Sequence, residues 1–576
     1  MLLNGAQIVI ECLKKESVDT IFGYPGGSVI TLFDALFSEK DIRVIVPRHE
    51  QGGGHEADGY ARSTGKVGVV VATSGPGATN LVTAIATAYM DSIPLVAITG
   101  QVRTNLIGTD AFQEADITGI TYPITKHNYL VKDVKKLART IKEAFYIASH
   151  GRPGPVLIDI PSNVFNEKTE FEYPETIKLR SYNPTYQGNP KQIEKAVKMI
   201  KESKRPVILA GGGVIASGAS DELREFVKRT GIPVTTTLMG LGAIRHDDPL
   251  YLGWPGMHGT VYANYTLMES DLIVCIGARF DDRVTGKTDE FAKKARIIHI
   301  DIDPSSIGKI IDTDLPVVGD AKNVLAELNK HFNEKLDLET WINQIDSWKK
   351  NYPLKYKDDN ITIKPQYVVE VVNELTKGIN TIFTTEVGQN QMWAAQFLKL
   401  ERPRQFLTSG GLGTMGFGFP AGIGAQVANP DATVIVFAGD GSLQMNIQEM
   451  ATVKNYNLPL KVIILNNSYL GMVRQWQELF YDKRYSGVCL SRDITCPKEC
   501  KGKECKKYWP DFVKVAEAYG LKGYRITNKK DVERILREAI IENKEAAIID
   551  VIISKEENVM PMVPAGHPIN NIIERY

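Results

Sequence analysis

An excess of charge of either sign is the first thing missing. Lys+Arg and Asp+Glu each number 68 in 576 residues, for a formal net charge of zero. That balance argues against a nucleic-acid binder and against a protein held on an anionic membrane, both of which draw on basic excess. Long hydrophobic runs are missing too, so no bilayer span is expected. The opening "MLLNGAQIVIECLKKE" lacks a basic leader, and its apolar residues fall at helical spacing interrupted by Glu11. It predicts an amphipathic helix of the fold and a cytoplasmic protein. Cysteine is scarce, six in all, and unevenly placed. Cys12 and Cys275 sit alone in apolar contexts and read as core thiols. Cys489, Cys496, Cys500 and Cys505 crowd into "CLSRDITCPKECKGKEC". Their spacing fits neither the paired C-x2-C of zinc ribbons nor that of ferredoxins. Disulfides are disfavoured in a reducing cytosol. A metal site, an iron–sulfur site and free thiols in an exposed Lys-rich loop stay open.

What is present is an ordinary globular composition, 43% hydrophobic and 24% charged, and β-type runs alternating with helical segments almost throughout. "KVGVVVATSGPGATNLVTAIATAYMDSIPLVAITG" gives the unit: a β-run, a Gly-Pro-Gly turn, an apolar helix, a β-run. Polar, Pro-containing stretches at 180–192 and 351–366 read as linkers. The expected plan is α/β, with three doubly wound parallel-sheet domains at 1–180, 190–350 and 366–553 and a tail at 554–576.

Two glycine-rich features compete for the chemistry. "GLGTMG", Gly411 to Gly416, matches a dinucleotide fingerprint and would suit an NAD-dependent dehydrogenase, but the preceding "ERPRQFLTSGG" is a poor strand. The other is "ATVIVFAGDGSLQMN", where an apolar run delivers Asp440 between Gly439 and Gly441. The next apolar run, "LKVIILNN", ends on Asn467. Neighbouring parallel strands bring their carboxyl ends together, so Asp440 and Asn467 offer two hard oxygen ligands side by side, a set that suits Mg²⁺ and a phosphate-bearing ligand. The glycines allow close backbone approach, and Ser442 stands at a helix start able to donate to a diphosphate.

G-D-G followed by N-N resembles the motif of the thiamine-diphosphate (ThDP)-dependent decarboxylase and carboligase superfamily. The resemblance implies Mg²⁺ on Asp440, Asn467 and the Tyr469 carbonyl. It also implies a glutamate on another domain that drives the cofactor pyrimidine to its imino form, and "RHEQG" supplies Glu50. "FGYPGG", "TSGPGATN", "DAFQEAD", "GMHGT", "GARFDDRVTG", "GMVRQWQ" and "MPMVPAG" resemble the acetolactate synthase (acetohydroxyacid synthase) catalytic-subunit family. That resemblance implies decarboxylation of pyruvate and addition to a second 2-ketoacid, pyruvate or 2-ketobutyrate, giving acetolactate or acetohydroxybutyrate on the route to isoleucine and valine. It gives Met415 the place under the cofactor that keeps it bent, and the Gly413 carbonyl a bond from the 4′-amino group. Gln389, Asn390 and Met472 fall in its cofactor segments. Gly27 and Gln113 match positions facing the reacting carbon. Arg283 matches the holder of the second carboxylate, and Trp476 a wall favouring an ethyl group. FAD is implied, with Arg152, Gly211, Gly212, His258, Arg279, Asp301 and Asp320 in the matching segments. Ser162 and Asn390 depart from the family's lysine and histidine, which puts FAD retention in question and keeps another ThDP-dependent carboligase as the alternative. A silent binding subunit would not need Glu50, Asp440 and Asn467 intact. The family further implies a homodimer or tetramer and a small regulatory subunit.

Overall fold

The computed structural model describes residues 1–491 and 510–574; Cys496, Cys500 and Cys505 lie outside them. Three parallel sheets, each wrapped by helices, organise the chain. The first sets Arg43–Ile45, Thr20–Gly23, Gly68–Ala72, Leu95–Gln101, Pro155–Pro161 and His127–Leu130 side by side. The third sets Phe406–Leu407, Thr381–Thr385, Thr433–Gly439, Lys461–Asn466, Ala547–Ile552 and Lys522–Ile526 side by side. Counted in chain order, both read second, first, third, fourth, sixth, fifth, so the two sheets share one topology. The middle sheet is Val234–Thr236, Pro206–Ala210, Leu272–Ile276, Arg296–Asp301 and Leu315–Val318. Central strands are covered on both faces, which is why their sequences run apolar without alternation; Val434 to Ala438 are all fully buried.

The strands that sequence reading passes over are mostly at sheet edges. Leu315–Val318 and Lys522–Ile526 are partly exposed, and Phe406–Leu407 is two residues long, so none offers a long apolar run. At the N-terminus the expected helix forms over Gly5–Lys15, opened by a capping box between Asn4 and Gln7.

The first and third sheets meet through matching helices. Glu50–Thr64 and Gly418–Ala428 each follow the second strand of their sheet and lead into the third. They pack reciprocally: a Cβ on Gly59 would overlap the Ala421 carbonyl, and one on Gly424 would overlap the Glu56 carbonyl. Tyr60, Val70, Phe419, Ile423 and Val436 share one apolar core across this seam. Beyond the third sheet, residues 557–569 run back over the middle domain. The Val563 N–H donates to the Met257 carbonyl, while Gln396 Nε2 bridges the carbonyls of His258 and Met560.

Candidate active site

The register of the third sheet pairs Gly439 with Leu465, so the residues just past each strand end, Asp440 and Asn467, emerge next to one another. Asp440 is buried and forms no ion pair among the described residues. Burial pushes its carboxyl up to about 7, against the pull of the Asn467 N–H that donates to it. A buried carboxyl with that tendency is one that a cation would restore to its charged form. The Asn467 side chain has its orientation fixed: Nδ2 donates to Gln389 Oε1 at 3.1 Å, and Oδ1 accepts from the Tyr469 N–H at 3.0 Å. Asn466, its neighbour, is structural and donates to Asp550. Tyr469 faces Cys489 in an antiparallel bridge whose hydrogen bonds come from Leu470 and Leu490, so the pairing makes no use of the Tyr469 carbonyl. One carboxylate at one strand tip thus neighbours an amide oxygen and a carbonyl in the turn that leaves the next strand. No cluster of three or more His, Cys, Asp or Glu suited to a metal exists among the described residues. A cation here would draw its remaining oxygens from a ligand and water.

The surrounding polar groups are spoken for in ways the sequence did not reveal. Gln389 Nε2 donates to Gln475 Oε1 and to the Glu557 carbonyl. Asn390 gives one Nδ2 hydrogen to the Phe437 carbonyl at 3.0 Å and turns Oδ1 toward Gly439, which ties its amide to the strand end. The Ser442 hydroxyl likewise closes a loop with Gly439, accepting from its N–H and donating to its carbonyl. Met415 reaches over this tip: a Cβ on Gly441 would stand 3.9 Å from Met415 Cε.

"GLGTMG" opens no helix. It spans a loop between Phe406–Leu407 and the helix Gly418–Ala428, with Gly413 and Gly416 at positive φ (+70° and +92°). Asp91 of the first domain clasps it, accepting from the N–H of Gly410 at 3.1 Å and Gly411 at 2.7 Å, and is itself paired with Arg62. Glu386, buried and pushed up to about 7 by that burial, accepts from the N–H of Gly416 and Phe419 at the other end. This is not the strand–glycine–helix geometry of a dinucleotide site.

Glu50 opens its helix at the edge of the first sheet, where Oε2 accepts from Asn80 Nδ2 at 2.9 Å. Gly27 starts a short 3₁₀ turn and would have open space around a Cβ; Gln113 is exposed at φ +58°, its backbone lying on Gly75. Phe112 and Tyr122, beside this face, are 88% and 77% exposed. Within one chain Glu50 is not joined to Asp440 by any hydrogen bond among the described residues.

A cavity of about 650 Å³ runs between the domains and gathers many of the other candidates. Arg152, Gly212, His258, Arg279, Asp301 and Asp320 line one part; Arg283, Gly413, Met472 and Trp476 line the rest. Asp440, Met415, Glu50 and Ser162 are not among its lining residues, and Ser162 instead opens a short helix after the strand Pro155–Pro161. Met472 and Trp476 are one helical turn apart on Gly471–Phe480 and so share a face. Arg283 lines the cavity with its guanidinium loosely held, Nε 3.8 Å from Asp282 Oδ2 and Nη1 3.8 Å from Met257 Sδ. Burial pulls His258 down to about 4, so the ring is neutral. Its Nδ1 lies 3.3 Å from the Pro561 carbonyl and must carry the hydrogen, leaving Nε2 as a buried acceptor with no partner among the described residues. Gly211 and Gly213 lie against the Gly277 backbone so closely that a Cβ on either would overlap it. Asp301 ends its strand half-buried, its carboxyl pushed up to about 6 by desolvation, and Asp320 caps the next helix.

Comparison with known proteins agrees with this arrangement domain by domain. Family models described as thiamine pyrophosphate enzyme N-terminal TPP binding domain, central domain and C-terminal TPP binding domain match residues 3–120, 193–328 and 386–551. The acetolactate synthase large subunit of Haemophilus influenzae is 47% identical over 99% of this chain and 98% of its own length. The probable acetolactate synthase large subunit of Methanocaldococcus jannaschii is 50% identical over 99% and 95%, and the acetolactate synthase of Mycobacterium bovis 48% over 98% and 90%. With matches of that depth over all three sheets, the chain belongs to the acetolactate synthase large-subunit family of thiamine-diphosphate enzymes.

Proposed function

We propose that this protein decarboxylates pyruvate and joins the resulting two-carbon unit to a second 2-ketoacid, pyruvate or 2-ketobutyrate, forming acetolactate or acetohydroxybutyrate for isoleucine and valine synthesis. The observation that carries this reading is the cavity in which the guanidinium of Arg283, held only loosely at 3.8 Å from Asp282, stands with Trp476, Met472 and Gly413. A decarboxylase needs no second carboxylate holder; a carboligase does. A guanidinium grips a carboxylate by two parallel hydrogen bonds, which orients the acceptor as well as holding it. Trp476 walls the space for the acceptor's side chain, where one methylene is worth about 1–3 kcal/mol, a preference rather than an exclusion.

ThDP, when bound, supplies a carbon acid that adds to a ketone and takes up the electrons released by decarboxylation. The residues fit it: Asp440, Asn467 and the Tyr469 carbonyl would hold Mg²⁺, and Gly439 and Gly441 leave room for a diphosphate. Gln389 and Asn390 fix the tip, and Met415 supplies an apolar prop. The Gly413 carbonyl would accept from the cofactor's amino group. Glu50, steadied by Asn80, would share its proton with the pyrimidine nitrogen. FAD fits the other half of the cavity, where the neutral His258 offers an acceptor without a partner among the described residues, Arg152 and Arg279 offer charge, and Gly212 on the lining, beside Gly211, allows a close approach.

Gly27, Gln113 and the exposed Phe112 and Tyr122 support a homodimer in which the first domain of one copy covers the third domain of another, with Met445 and Tyr481 exposed on the latter. A tetramer would pair two such dimers. The words "large subunit" in the relatives' names lead us to include a small regulatory subunit as partner. No helix among the described residues is long and apolar enough to cross a membrane, and a cytoplasmic setting suits the free thiols of Cys12, Cys275 and Cys489. The test is acetolactate formation from pyruvate by purified protein, with ThDP, Mg²⁺ and FAD omitted in turn. Loss of product without ThDP or Mg²⁺ is expected; no product with all three present would end the proposal.

A further inference from the structure

Where the third domain meets the turn before Glu50, a second pair of acids is buried. Glu449 is fully buried, and its carboxylate accepts from the N–H of Arg48 and of His49, each at 3.0 Å, and from Thr452 Oγ1 at 2.6 Å. These are the two backbone groups immediately ahead of Glu50, at the mouth of the helix Glu50–Thr64. Gly52 makes room for the grip, since a Cβ there would lie 2.5 Å from Glu449 Oε1. Beside Glu449 lies Glu56, one turn past Gly52 on the same helix, fully buried, with neither carboxyl oxygen bonded to a donor among the described residues. Two neighbouring buried carboxyl groups resist ionising together; one proton between them turns repulsion into a hydrogen bond.

We infer that Glu449 and Glu56, holding one proton between them, are positioning residues that set where Glu50 stands. The inference rests on the reading of Glu50 as the acid that activates the cofactor. The Glu449 carboxylate fixes the Arg48–His49 backbone, and the protonated Glu56 donates to Glu449 and keeps it in place. Burial and the neighbouring carboxylate hold Glu56 well above the usual carboxylate range, and Glu449 is raised as well. Other groups facing the pair do not replace that proton. Arg48 donates its guanidinium to the carbonyls of Val46 and Pro47 and is the charge acting on both acids. His49 accepts from the Gln51 N–H as the helix cap, and His55 is held neutral by burial. Asp58 and Arg62 pair with each other further along the helix. Because the acids are raised in the fold, their contribution to stability is complete in acid. It declines as pH climbs above the ordinary carboxylate range, and it is gone once the pair loses its shared proton.

The test uses the full-length protein with Glu56→Gln and Glu449→Gln. An amide at 56 donates to Glu449 at every pH. Expected for Glu56→Gln is a flattened alkaline limb in the kcat profile and, in protein stripped of cofactor, a Tm that no longer falls in alkaline buffer as the wild type's does. Glu449→Gln puts a donor against two donors; a displacement of the acid on the scale of 1 Å costs about 100-fold, so kcat falls by about that factor with little change in KM. Glu56→Gln tracking the wild type in both Tm and kcat across pH would overturn the inference, whether or not Glu449→Gln folds. The stripped-protein Tm reads the pair directly. Were the wild type to make no acetolactate, the functional proposal would fail while the clasp itself was still being measured.

Discussion

The first and third domains are built on the same strand order, yet their strand tips are opposites. The third-domain tip is saturated with internal bonds: Asn467 to Gln389, Gln389 to Gln475, Asn390 to Phe437, Ser442 to Gly439. The first-domain tip holds one acid with one amide partner, Asn80, beside aromatic side chains left in solvent. One end has its polar side chains tied to one another; the other holds a carboxylate with a single side-chain partner among the described residues. A shared frame fixes where residues can stand, and the residues at the tips decide the chemistry.

Breaking each tip in turn should give different kinds of damage. Glu50→Gln removes the acid but no ligand to the cation, so kcat should fall by about 10²–10⁴-fold while ThDP affinity, measured by fluorescence titration, holds. Equal losses in both would erase the contrast. Asp440→Asn should show the converse, with Mg²⁺ affinity down at least about 10–100-fold and activity partly recovered by excess Mg²⁺. The shared frame can be broken at its seam. Gly59→Ala or Gly424→Ala gains about 1 kcal/mol of helix propensity, but each new methyl meets a carbonyl of the partner helix, and overpacking of that kind costs about 1–3 kcal/mol. A lowered Tm is expected from either change, of similar size because the contacts are reciprocal. The smallest effect lies outside both tips: Trp476→Leu should weaken preference for 2-ketobutyrate over pyruvate by about tenfold, about 1.4 kcal/mol, in a competition assay.

The central strands and the Asp440–Asn467 pairing were readable from sequence because both follow from local pattern: an unbroken apolar run and the residue that ends it. The matching order of the two outer sheets was not, since it depends on edge strands such as Phe406–Leu407 and Lys522–Ile526 that carry little apolar signal. Nor were the supports of the site. Asn80 sat inside a recognised motif without a role, and Asp91 and Glu449 act on backbone groups some 320 and 401 positions away. No local spacing marks a carboxylate whose partners are main-chain N–H groups of another domain. Asn390 and Ser442 show a related gap: residue type tells which bonds a side chain can make, while packing decides which one it has already made.

The reciprocal seam between Glu50–Thr64 and Gly418–Ala428 has a bearing on turnover. Helices that slide do so by exchanging side-chain rotamers, and at Gly59 and Gly424 there are none to exchange. The outer domains of one chain thus behave as a single rigid anvil. Opening that admits ketoacid and frees product therefore has no play to draw on at this seam.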